Sequence, residues 1–191
     1  MASLSDLLND LVCGNETRAE AAVSSLIELG EEAVPALLEL TRSDDVDRRW
    51  WGLRVLAQSP HSRAGWLMPF LGDPAREVRQ CAALGLALKV DETAIEPLVR
   101  ALNDEDSMVG SLAVNALVKV GKAAVPALIG VVQNGSQTAR IHALRALAEI
   151  HDHRAIPVMM KVMEEDSALL QHWAKEGLER LGLDMVYIKP V

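Results

Sequence analysis

Apolar residues recur along this chain at helical spacing, and the pattern then repeats as a block every 30 or 31 residues. The stretch 79–104 is the clearest copy. In it Ala82, Ala83, Leu86 and Val90 stand at offsets that place them on one face of a helix, and Ile95, Leu98, Val99 and Leu102 do the same further on. The spacing predicts two short amphipathic helices joined at 89–92. Neither stripe can be buried alone, so each pair needs a copy of itself alongside. A small-residue column runs Ala22, Gly52, Ala82, Ala113, Ala143, Ala174, and a Leu column four residues on runs Leu26, Leu56, Leu86, Leu117, Leu147, Leu178. Two second-helix columns hold the same period: Val34, Ala64, Ile95, Val125, Ile156 and Leu37, Leu67, Leu98, Leu128, Met159.

These columns predict a single repeat domain over 1–191. It opens with a lone helix at about 3–12, continues through five helix pairs at about 16–165 and closes with a lone helix at about 167–181. The total is about twelve helices. Polar turns rich in Asp, Asn, Ser and Gly separate them, as helix caps require. The tail 184–191 falls outside the period.

Three copies carry a recognisable motif: Val78-Arg79…Ala82…Leu86, Ala139-Arg140…Ala143…Leu147…Ile150, and Leu117…Gly121…Ala124-Val125…Leu128. Over nearly its whole length the chain resembles the HEAT-like repeats named after the phycobilisome lyases. The resemblance implies an all-α fold, a right-handed α-solenoid (superhelix) with first helices on the convex side and second helices on the concave side. It implies no one function, because such repeats serve scaffolds, complex subunits and chromophore lyases alike.

Composition narrows the picture. Half the residues are apolar but only 3% aromatic, so Leu, Val, Ile and Ala must build the core. The formal charge of -8 disfavours a nucleic-acid partner. No apolar run reaches membrane-spanning length and the first residues have no basic region, so neither a membrane span nor a signal peptide is predicted. Cys13 and Cys81 lie in different repeats with no C-x-x-C partner, which reads as two free thiols in a reducing, cytoplasmic setting.

The second repeat departs most from the pattern. Its first helix begins Arg48-Arg49-Trp50-Trp51 behind an acidic turn, whose Asp44, Asp45 and Asp47 read as helix-start charges facing Arg48 and Arg49. Its second helix contains Gly65 and Pro69, which predict a helix that is short, late in starting or kinked near Pro69. Trp66 stands where other copies hold Ala36, Pro97, Ala127 and Val158. Trp50 stands in a mostly polar column and Trp51 in a half-apolar one, where it can pack between the first and third repeats. Aromatic rings beside Arg make a partner hot spot or a platform for a planar ligand.

Arg48, Arg49, Trp50, Trp51, His61, Arg63 and Trp66 are therefore the candidate binding residues, joined by Arg100 from the mixed-charge concave column. They suit a non-enzymatic scaffold that binds a protein partner and needs no cofactor. The alternative, which the family resemblance adds, is a bilin- or tetrapyrrole-handling protein akin to the phycobilin lyases or phycobilisome-degradation factors. There the Trp rings would stack on the chromophore, and Arg48, Arg49, Arg63 or His61 would meet its propionates. No nucleophile–base motif, P-loop or dinucleotide fingerprint is present, so no catalytic residue is predicted. His151-Asp152-His153 sits on a turn where adjacent side chains do not converge, and no metal site is predicted there. The partner's identity and the oligomeric state stay open at this level.

Overall fold

The computed structural model describes residues 2–165 and 167–183, and the tail 184–191 lies outside them. Twelve α-helices and no strand occur among the described residues: α1 Leu4–Leu11, α2 Glu16–Glu28, α3 Val34–Leu40, α4 Val46–Gln58, α5 Ala64–Leu67, α6 Arg76–Leu88, α7 Ile95–Ala101, α8 Ser107–Val120, α9 Val125–Asn134, α10 Gln137–Ile150, α11 Ile156–Glu165 and α12 Ala168–Arg180. A 3-10 turn leads into each of α3, α7, α9 and α11. The chain divides into two compact units, Met1–Lys89 and Val90–Val191.

Caps written in the sequence set the helix starts. Ser3 and Asp6 form a reciprocal capping box on α1. The side chains of Asn15, Asp45, Asp106 and Ser136 accept first-turn N–H groups of α2, α4, α8 and α10. Pro35 and Pro126 sit in the first turns of α3 and α9, where no N–H is needed.

In the first unit α1 packs on α2, α3 on α4, and α4 on α6. Leu26, Leu56 and Leu86 of the Leu column are essentially inaccessible. The small-residue positions allow close approach. A Cβ on Gly85 would lie 2.7 Å from that of Ala57, so α6 and α4 meet backbone to side chain there. In the second unit α10 is central, contacting α8, α9 and α12. The stretch Ser107–Asn134 has the length and apolarity of a membrane-crossing helix. It turns at Gly121, with φ 76°, and its two halves pack as α8 and α9 with Val109, Leu117, Val125 and Leu128 buried.

The second repeat is as irregular as its sequence. α5 has four residues and gives way to a 3-10 turn, Met68–Gly72, with Pro69 near its start. Val90, expected on the buried face, is 57% exposed, because α6 ends at Leu88 and the chain leaves the helix at Lys89.

Candidate functional site

The first turns of α2, α4 and α6 border one groove in the first unit. It encloses about 680 Å³ and is lined by Glu16, Asp47, Trp50, Trp51, Glu77 and Gln80, with small residues at and just before the start of α2 along its edge. Trp50 and Trp51 meet edge to face, with centroids 4.7 Å apart and planes at 80°. Both are half-buried, Trp50 more than its polar column predicts. Arg54, one helical turn further along α4, lies 5.2 Å from the Trp50 centroid and 5.7 Å from that of Trp51. Its guanidinium also donates to Glu20 Oε1 at 2.6 Å. Arg54 was not among the sequence candidates, although its i+4 and i+3 spacing from the two Trp residues is a readable signal.

Cys81 belongs to the same neighbourhood. Burial pushes its thiol up to about 12, against a weaker pull from Arg54, so it holds its proton at neutral pH. Cys13 is exposed.

Arg49 is engaged inside the fold. It donates from Nε and Nη2 to the two carboxylate oxygens of Asp73, both at 2.9 Å, and from Nη1 to the carbonyls of Ser43 and Asp44 at 3.0 and 2.9 Å. Asp73 is buried and Arg49 largely so, which makes this a bidentate clamp between the turns that precede α4 and α6. Asp45 and Asp47 stand at the start of α4 as expected, and the charges of Asp44 and Asp45 act on Arg49, but the carboxylate that bonds it directly is that of Asp73. Arg48 is exposed and makes no ion pair among the described residues.

The remaining candidates of the first unit form a second group. His61 and Arg63 lie on the turn between α4 and α5, and Trp66 lies within α5. The Arg63 guanidinium stands 5.7 Å from the Trp66 centroid, and Trp66 is half-buried while Arg63 is exposed. His61 Nδ1 faces Glu31 at 3.7 Å, and its ring covers Gly30, whose φ of 63° favours a residue without a Cβ. The turn is anchored beneath by Lys89, which donates to the Ser59 carbonyl. Neither His61, Arg63 nor Trp66 lines the Trp50–Trp51 groove. Arg100 is exposed on α7 in the second unit.

A related Arg–Trp contact occurs in the second unit. Arg145 lies 5.5 Å from the Trp173 centroid beside a cavity of about 190 Å³ that Glu149, Glu176 and Arg180 also line. At the His151–His153 turn, Asp152 accepts two hydrogen bonds from Arg154 at 2.9 Å, which hold its carboxyl well below the usual range. No group of three or more His, Cys, Asp or Glu among the described residues is placed to hold a metal ion.

Comparison with known proteins identifies the repeat. Residues 65–129 match the model for HEAT repeats, and residues 139–165 match that of the PBS lyase HEAT-like repeat. These two stretches of the chain carry HEAT-like repeats. Among curated proteins it is 33% identical over 97 residues to the phycocyanobilin lyase subunit beta of a Nostoc species, covering 50% of this chain and 48% of that one. It is 39% identical over 83 residues to the bilin biosynthesis protein RpcF of a Synechococcus species, covering 42% of this chain and 40% of that one. The match thus spans less than half the length of each relative.

Among solved structures the HEAT-like repeats protein of Thermococcus onnurineus superposes with a TM-score of 0.65 at 16% identity, covering 95% of this chain and 81% of that one. A chain of the CpcE–CpcF complex of phycocyanin lyase from Nostoc superposes at 0.54 with 18% identity, covering 95% and 78%. These likenesses show the helical-repeat fold.

Proposed function

We propose that this HEAT-like repeat protein handles a linear tetrapyrrole, as a lyase-like subunit that binds a bilin and works together with a protein partner. The observation that carries the reading is the 33–39% identity to a phycocyanobilin lyase subunit and a bilin biosynthesis protein over about half of the chain. The fold shared with a two-component phycocyanin lyase is consistent with a protein partner. A scaffold without a small-molecule ligand would explain the repeat but not the relatives.

Electrostatics indicates which group of candidates suits a bilin. Its two propionates are anionic, and the Trp50–Trp51 groove is lined by carboxylates. The turn into α5 instead offers an indole face, the guanidinium of Arg63 and the imidazole of His61. A pyrrole plane can stack on Trp66 while Arg63 binds a propionate bidentately. Arg49 is left out of this role because Asp73 already occupies it.

The test is induced circular dichroism in the visible band when phycocyanobilin is added to the purified chain. The expected outcome is a saturable signal at micromolar ligand that Arg63→Gln weakens by about tenfold in affinity. An absence of signal up to millimolar ligand would overturn the reading.

A further inference from the structure

The groove between the first turns of α2, α4 and α6 has a chemistry opposite to that of the bilin candidates, and this goes beyond the function proposed above. We infer that it is a docking site for an arginine side chain carried on a basic segment of a protein partner.

Charge complementarity is the first ground. Each of the three helices contributes one carboxylate from its first turn, Glu16, Asp47 and Glu77, and no cationic side chain lines the groove. A helix N-terminus offsets about half a charge and Arg76 offsets Glu77, so the remaining negative charge of the groove rests on Glu16 and Asp47. Glu77 shares its carboxylate with Arg76 at 2.9 Å. Glu16 and Asp47 make no ion pair among the described residues and are exposed to an incoming cation.

The walls are the second ground. Trp50 and Trp51 give the groove an aromatic lining, and the same two rings already hold the guanidinium of Arg54 at cation–π distance. A second guanidinium entering from the groove side would meet an indole surface and carboxylates together. A planar guanidinium stacks on such a surface and donates sideways in a fork, which an ammonium cannot do. This selects arginine over lysine. The volume of about 680 Å³ admits a side chain with part of its peptide.

The test is a calorimetric titration of the full chain at 50 mM salt with three capped hexapeptides: alternating Gly–Arg, alternating Gly–Lys and alternating Gly–Glu. The Arg peptide is expected to bind at micromolar concentration, the Lys peptide about threefold or more weakly, and the Glu peptide not at all. The Glu16→Gln/Asp47→Asn double variant should lose about tenfold in affinity for the Arg peptide. Trp50→Ala should lose a similar factor. Trp50→Phe, which keeps a ring, serves if the Ala variant fails to fold and should lose less. Failure of the Arg peptide to bind would overturn the inference, as would equal affinity for the Arg and Lys peptides or binding unchanged by the double variant. So would phycocyanobilin displacing the peptide from the groove, which would put the bilin where the carboxylates stand. A chain that binds the Arg peptide but no bilin would sink the bilin reading and leave this one intact.

Discussion

Cys81 and Arg54 share one environment beside the Trp50–Trp51 pair, and it sets the reactivity of the thiol. Burial raises the Cys81 thiol from 9.0 to about 12, with Arg54 opposing only weakly. At pH 8 the thiolate fraction is then about one in ten thousand. Native protein treated with iodoacetamide should therefore modify exposed Cys13 at least about a hundredfold faster than Cys81, with both reacting after denaturation. Intact-mass spectrometry reads this directly, and equal rates in the native protein would contradict the burial. The same shift has a stability sign. The fold favours the neutral thiol, so its contribution is complete below pH 9.0 and is lost as pH rises toward about 12. Residue identity alone made Trp50, Trp51, Arg63 and Trp66 legible as candidates. It did not sort them, because the division into an acidic groove and a cationic turn depends on carboxylates from three different repeats. Glu16 and Asp47 read locally as helix-start charges, and only the packing of α2 beside α4 gives them a common groove.

Between elements, the Arg49–Asp73 clamp ties the turn before α4 to the turn before α6. Asp73 accepts both guanidinium bonds and also the Ala75 N–H at 2.9 Å. Removing it leaves a largely buried guanidinium without its direct carboxylate partner. Asp73→Ala should cost about 3–5 kcal/mol, and Asp73→Asn, which can still accept from Ala75, should cost less. The urea midpoint of each variant measures this, and a loss below about 1 kcal/mol for Asp73→Ala would place the pair in the weak, solvated class. The clamp was half legible. Arg49 stood out beside Arg48, but the nearest acids in sequence, Asp44, Asp45 and Asp47, gave no hint that its direct carboxylate partner is Asp73. Asp45 instead caps α4 by accepting from the N–H groups of Asp47 and Arg48. The shortness of α5 was legible because Gly65 and Pro69 act locally. Val90 misled because a periodic stripe does not reveal where its helix stops: α6 ends at Leu88, two residues before it.

For the molecule as a whole, the 30–31-residue period carried the fold. Core columns must hold small or aliphatic residues for the helices to approach, so they print a clear signal, as the near-zero exposure of Leu56, Leu86, Leu117 and Leu147 confirms. Function leaves no such periodic trace. The candidate site residues stand where one copy breaks the pattern, and these can be surface residues on any side. The identity to bilin-lyase proteins extends over about half of this chain and less than half of theirs, so what passes with the repeat is a surface to be tested. The net charge of -8 is in keeping with the basic partner proposed for the groove, and the proposed bilin site depends on local cations such as Arg63.

The most direct measurement of the central claim is tryptophan fluorescence titrated with phycocyanobilin in the wild type, Trp66→Phe combined with Arg63→Gln, and Trp50→Phe. Saturable quenching at micromolar bilin is predicted for the wild type and for Trp50→Phe. The Trp66/Arg63 double variant should need at least about tenfold more ligand. A flat titration of the wild type, or loss of quenching in Trp50→Phe with the double variant unaffected, would contradict a bilin site on the turn into α5.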